Sequence, residues 1–177
     1  MKNFYYAEEG VIMREFWDLY DHERKPLGRI HQRGLPLGEG EYHVVVSVWT
    51  VNQDGKILIT LRSEEKELFP GHWENTAGSV MSGETSREAA IRELREETGI
   101  EASPDEITCL GTVLKVASFV DIFLVRKTLD PDSIRLQEGE TTDYRWVSYE
   151  ELKTLDRQGM LAFPLFDPFQ DAVEKLF

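Results

Sequence analysis

Glu93, Glu96 and Glu97 stand at i, i+3 and i+4 of a segment with helical periodicity, which puts three carboxylates on one surface within a single turn. Glu93 and Glu97 repel each other at this spacing, and glutamates late in a helix oppose its dipole. A divalent cation reverses both penalties, because hard Mg²⁺ favours carboxylate oxygens and retains waters that a phosphate can share. The alternative is a solvated, salt-bridged face. It draws support from the i,i+4 pairs Glu88 with Arg92 and Arg92 with Glu96, each worth about 0.2–0.5 kcal/mol.

The helix that carries these residues has readable ends. Thr85 followed three residues later by Glu88 is a capping pattern, so the helix begins near Ser86, and Gly99 supplies the stop. Ala90, Ile91 and Leu94 form its expected buried stripe. Upstream, "HVVVSVWTV" and "KILITLR" are strong strands around the turn "NQDG", and a loop over 63–72 leads through "FPGHW" into the strand "ENTAGSVM". Residues 14–31 read as a hairpin belonging to an extension of about 42 residues. Downstream come two apolar β-rich runs, "EITCLGTVLKVAS" and "FVDIFLVRKT", then the short strand "DYRWVS", a helix from "YEELKTL" and a C-terminal helix "DPFQDAVEKLF". The pattern predicts one α+β domain over 1–177, an α/β/α sandwich around a mixed sheet.

Composition limits the partners. A formal charge of -13 over 177 residues disfavours polymeric nucleic acid, whose binding relies on basic side chains displacing counterions. A small phosphorylated ligand remains compatible if a cation sits between it and the acidic protein. No apolar run reaches membrane-spanning length, and the N-terminus lacks a secretory pattern, so the expected address is cytoplasmic. Cys109, the single cysteine, lies in "ITCLGTVL" and reads as a buried, inert thiol. A homodimer is the working assumption on frequency alone.

Gly78, five residues, Glu84, seven residues, Arg92-Glu93-Leu94, one residue, Glu96-Glu97, one residue, Gly99-Ile100 reproduces a nine-position pattern that chance would match on the order of once in ten million chains. This pattern resembles the complete Nudix box, and the similarity covers roughly residues 40–155. The resemblance implies an α/β/α sandwich in which Glu93, Glu96 and Glu97 face Mg²⁺, or Mn²⁺, together with the Gly78 carbonyl. It also implies that Glu84 and Arg92 support and orient those carboxylates and that Gly99 ends the helix. Metal-activated water would then split a diphosphate, with Glu97, Glu93 and the loop residue Glu140 as competing general bases. Glu138 is the nearest rival to Glu140.

The stretch "ITLRSEEKELFPGHWENTAGSV" also resembles type I isopentenyl-diphosphate isomerases, where Arg62 and Lys66 match positions that engage diphosphate. The isomerase cysteine is replaced by Ala77, a metal-binding histidine of that motif is missing, and His43 matches one of the isomerase histidines without a second at the expected spacing. The chain is thus similar to isomerase-like hydrolases. Phe69 and Trp73 could stack on a substrate base or belong to the core, while Tyr5, Tyr6 and Trp17 could pack on the sheet, line the site or meet another subunit. Three functions follow as expectations: a magnesium-dependent hydrolase of a nucleoside diphosphate derivative or related molecule, an isomerase of allylic diphosphates, or a nucleotide sensor that does not cleave.

Overall fold

Alternation along His43–Val51 (β3) sends Val44, Val46 and Val48 to one face of the sheet and Trp49 and Val51 to the other. The first face is buried throughout and the second at its Trp49–Val51 end. The computed structural model describes residues 15–163. In chain order these form β1 (Phe16–Tyr20), β2 (Pro26–Gln32), β3, β4 (Ile57–Arg62), β5 (Trp73–Glu74), β6 (Thr76–Ser79), α1 (Ser86–Thr98), β7 (Ile107–Leu114), β8 (Ser118–Arg126), β9 (Thr141–Val147) and α2 (Tyr149–Arg157). The "DPFQDAVEKLF" helix and Tyr5 and Tyr6 lie outside the described residues.

The main sheet is mixed. β3 runs parallel to β8 and antiparallel to β6, while β4 pairs antiparallel with β5 and β9, and β7 closes the far edge beside β8. One buried cluster sets Ala89, Ala90 and Leu94 of α1 against Val46, Phe119 and Phe123, and a second sets Leu152 of α2 against Ile57, Ile59 and Ile122. The sandwich expected from the sequence is present. Three local expectations need correction. Ala89 joins Ala90 and Leu94 in the buried stripe of α1 while Ile91 is only half-buried. Glu88 bonds Thr85 in the capping box rather than pairing with Arg92. Cys109 is exposed, because β7 is an edge strand with one face toward solvent.

β3 and β4 are paired in register only at Val51 and Ile57, beside their connecting turn. Beyond it they separate, and the segment 73–79 fills the gap in two pieces, β5 on β4 and β6 on β3, divided at Asn75. The Asn75 amide donates to Ser47 Oγ at 2.7 Å and to the Val48 carbonyl at 3.2 Å, which pins the division point.

The N-terminal hairpin docks on this sheet through three sets of contacts. Tyr20 and Tyr42 exchange backbone hydrogen bonds at 2.8 and 2.9 Å. Arg24 forks onto the buried Asp121 carboxylate at 2.6 and 2.5 Å, and Thr112 donates to the same group. Trp17 stacks on His43 with ring centroids 4.0 Å apart. His43 is therefore a packing residue. Burial, with the nearby His31 and Arg33 charges, holds its imidazole down at about 4 from an ordinary 6.5.

This depression sets a pH dependence. Between about 6.5 and about 4 the unfolded chain protonates the imidazole that the folded chain keeps neutral, so the stabilising contribution is full above 6.5 and is lost as pH falls toward 4. Discounted for partial exposure, the loss is about 1–2 kcal/mol. His43→Phe keeps a ring against Trp17 and removes the titration. Urea unfolding at pH 7 and pH 4.5 should show a smaller acid penalty in the variant than in the wild type.

Candidate active site

The Thr85 hydroxyl accepts from the Glu88 N–H while the Glu88 carboxylate accepts from the Thr85 N–H at 2.8 Å, and Gly99, at φ 72°, donates its N–H to the Arg95 carbonyl. These caps fix the start and end of α1, and with them the rotation of its glutamates about the axis. The loop before the helix is braced from the N-terminal hairpin. Asp18 accepts from Ser82 Oγ at 2.8 Å and from the Gly83 N–H at 2.9 Å, and the Phe16 carbonyl accepts from the Ser82 N–H. Sequence reasoning missed Asp18, since nothing local links residue 18 to a turn 64 residues away.

The three helix glutamates have different surroundings. Glu96 is well exposed, Glu93 is mostly buried, and Glu97 is buried with its Oε2 lacking a hydrogen-bond partner among the described residues. Burial first, then the charges of Glu74 and Glu93, push the Glu97 carboxyl well above the usual range, against opposing hydrogen bonds from Thr76 and the Ala77 backbone. Burial also raises Glu93, with Arg92 opposing it and Glu96 and Glu15 adding to it. Arg92 is the organiser. It forks onto Glu84 with two contacts of 2.9 Å, meets Glu93 Oε1 at 2.7 Å and Glu96 Oε2 at 3.3 Å, and donates to the Ser79 carbonyl at 3.0 Å.

Gly78 of β6 lies directly beneath Glu93. A Cβ there would overlap the Glu93 carboxylate. Gly78→Ala should therefore displace Glu93 while leaving β6 paired with β3, because no positive φ is required at this position. We expect turnover to fall about 100-fold or more with thermal stability changed only slightly, measured as kcat beside a melting curve. Equal turnover in the variant would show that the Glu93 position does not matter.

The expected substrate residues gather around the same space. A cavity of about 840 Å³ is lined by Arg62, Lys66, Glu74, Gly78, Glu93, Glu97 and Glu140, and extends along the Val45, Ser47 and Trp49 face of β3. Arg62 is heavily engaged: Nη1 meets both Glu74 oxygens at 2.9 and 3.0 Å, and Nε and Nη2 donate to the Leu68 carbonyl. It thereby ties down the 63–72 loop. Lys66 contacts the Glu140 carboxylate, and the Ser63 N–H donates to the Glu140 carbonyl at 2.9 Å. Glu138 is exposed and does not line the cavity.

Trp73 lines the cavity but is buried at 3 % exposure with Arg145 4.4 Å from its ring centroid, so it is chiefly a core residue. Phe69 is exposed and contacts Phe163 and His72 edge-on, outside the cavity lining. Glu74, buried and raised by that burial against the pull of Arg62, is a fourth acid that the sequence did not single out. Its two-residue strand carries no periodic signal.

The donors suit a hard cation: carboxylate oxygens, one of them buried and unpartnered, beside a backbone carbonyl on a strand without a side chain. Among the described residues no three such groups already stand at metal-ligand spacing. Arg92 holds Glu93 and Glu96 instead, and a cation would compete with it for their oxygens.

The NUDIX domain model matches residues 41–165. A protein described as an uncharacterized Nudix hydrolase from Listeria monocytogenes is 38% identical over 151 residues, covering 82% of this chain and 86% of its own length. An isopentenyl-diphosphate Delta-isomerase from Salmonella typhi is 30% identical, covering 92% and 88%. The crystal structure of DR0079 from Deinococcus radiodurans superimposes with a TM-score of 0.72 at 24% identity, covering 92% of this chain and 99% of that one. A box-bearing helix under a mixed sheet, a domain model spanning most of the chain and relatives similar over nearly their full length agree: this chain belongs to the Nudix hydrolase family.

Proposed function

We propose that the chain hydrolyses a diphosphate linkage in a nucleoside diphosphate derivative or related small molecule, with Mg²⁺ as its cofactor and Mn²⁺ as a substitute. One observation carries the reading: Glu97, a buried carboxylate with one oxygen unpartnered among the described residues, faces the same cavity as the cations Lys66 and Arg62. Glu93, Glu96 and Glu97 would hold the metal with the Gly78 carbonyl, and Glu140 would join them from its loop. When bound, the metal neutralises phosphate oxygens and lowers the pKa of a coordinated water.

The chain's own residues supply the rest. Glu97 Oε2 takes the proton of the attacking water. That oxygen is buried and unpartnered among the described residues, whereas Glu93 Oε1 accepts from Arg92 and Glu140 Oε2 from Lys66. Arg92 keeps Glu93 in place over Gly78, and Lys66 offers its ammonium to the diphosphate when Glu140 lets go.

The similarity to isomerases favours a second reading, allylic diphosphate isomerisation. Its protonating thiol has no counterpart in the cavity: Ala77 lines it, and Cys109, the one cysteine of the chain, lies exposed on β7 outside it. The test is product formation from nucleoside diphosphates, nucleotide sugars, dinucleotides, coenzyme A and isopentenyl diphosphate, with Mg²⁺ or Mn²⁺. Isopentenyl diphosphate is also incubated in deuterated water. Metal-dependent cleavage without deuterium uptake is expected. Deuterium entering isopentenyl diphosphate would establish the isomerase, and tight nucleotide binding without any product would establish a sensor.

A further inference from the structure

The N-terminal hairpin delivers a charged pair to the rim of the cavity. The Leu35 N–H donates to the Gln32 carbonyl at 3.3 Å and Gly34 adopts φ 90°, so Arg33 sits on a tight turn at the end of β2. Its N–H donates to the Glu15 carbonyl at 2.9 Å, and its guanidinium meets the Glu15 carboxylate at 2.6 Å. Both residues line the cavity. The Arg33 charge adds to burial and Arg62 in lowering Lys66, and the Glu15 charge adds to the rise of Glu93. The pair thus reaches both the basic and the acidic sides of the cleft.

Five cations line the cavity; Arg92 is committed to Glu84 and Glu93 and Lys115 lies over the Phe163 ring, and the other three differ in how firmly they are held. Arg62 is mostly buried, with its donors committed to Glu74 and Leu68. Lys66 is mostly buried against Glu140, itself an expected metal ligand. Arg33 is 58% exposed and its partner Glu15 34%, the class of ion pair that contributes little to stability. Trading the Glu15 carboxylate for a phosphate therefore costs the fold least at Arg33, and a guanidinium fork matches two phosphate oxygens.

We infer that Arg33 is a substrate-binding residue that leaves Glu15 to grip the phosphate oxygens of the diphosphate, with Glu15 as the intramolecular competitor for that position. The assignment rests on the diphosphohydrolase reading and gives the extension a direct part in binding, beyond its bracing of the α1 loop.

Binding of imidodiphosphate at fixed Mg²⁺ is measured by calorimetry for wild type, Arg33→Ala, Arg33→Lys and Glu15→Gln, beside kcat and KM on the best substrate of the wild type. Arg33→Ala should weaken binding and raise KM about tenfold or more with kcat within about twofold, and Arg33→Lys should recover part of the loss. Glu15→Gln should tighten binding, because the competitor loses its charge. A purely structural ion pair predicts the opposite sign: both partners' variants weaken binding together, with lowered melting temperatures. That result, or unchanged binding in Arg33→Ala, would overturn the assignment while leaving hydrolysis intact. A wild type that neither binds imidodiphosphate nor cleaves any diphosphate would sink the parent reading and this one with it.

Discussion

Glu97→Gln should lower metal-dependent turnover by about 10³-fold while the metal-free protein melts no earlier than the wild type. The amide keeps the shape of the side chain and one carbonyl oxygen, so packing under α1 is preserved, but it cannot accept a proton at neutral pH. Proton transfer by a positioned carboxylate contributes about 10²–10⁴ in rate, which sets the size of the loss. Stability moves the other way for a reason visible in the fold. A buried carboxylate with an unpartnered oxygen beside Glu74 and Glu93 burdens the metal-free state, and an uncharged amide relieves that repulsion. Steady-state kinetics with Mg²⁺ and thermal melts in a chelator measure the two effects on the same preparations. Turnover within about tenfold of the wild type would remove Glu97 as the base, and a large drop in melting temperature would mean that the loss of activity reflects unfolding.

Arg92→Met should have the larger effect on stability. The substitution keeps the aliphatic length and removes the guanidinium from Glu84, Glu93 and the Ser79 carbonyl together, leaving Glu84 only the Met81 N–H. Leaving mostly buried carboxylates unpaired costs about 3 kcal/mol, and turnover should fall about 100-fold because Glu93 loses the contact that holds it over Gly78. Arg92→Lys should restore a point charge without the fork and fall between the two. The double variant Arg92→Met with Glu84→Gln should cost less than the sum of the single changes, since removing the Glu84 charge removes part of what Arg92 was compensating. Denaturant unfolding of the four proteins closes the cycle, and strict additivity would show that the Arg92–Glu84 fork contributes no coupling.

Much of this organisation was legible in the sequence. The limits of α1 followed from Thr85, Glu88 and Gly99, and the spacing of the box located the glutamates before any fold was known. Helical periodicity could not say how deep each glutamate lies, because burial depends on the strand beneath it. Glu96 and Glu97 are neighbours in sequence, yet of the two only Glu97 is buried against β6, with Glu74 beside it. The division of "WENTAGS" between two strands was hidden for a similar reason: one short run without periodicity contains both pieces, and only pairing with β4 and β3 separates them. Edge position likewise decided Cys109, whose apolar neighbours pointed inward by composition alone. The contacts of Asp18 and Arg62 are long-range or made through loops, where local pattern carries no information.

The clamp at the base of the 63–72 loop has a consequence for how such a chain can diversify. Thr60 and Leu61 pair with Glu74 and Trp73, Arg62 and His72 are joined by a backbone bond of 2.9 Å, and the Arg62–Glu74 ion pair lies beside that junction. Everything between is an excursion whose two ends are fixed independently of its content. Insertions or replacements there are absorbed without shifting the register of β4, β5 or the acidic helix, since lengthening a surface loop adds little closure entropy. The hinge between cleavage and recognition is thus built into a two-residue strand, and the excursion is an exchangeable cassette: a foreign loop that keeps Ser63 and Lys66, grafted between Arg62 and Trp73, should alter which molecule is accepted while the acidic helix stays where it is.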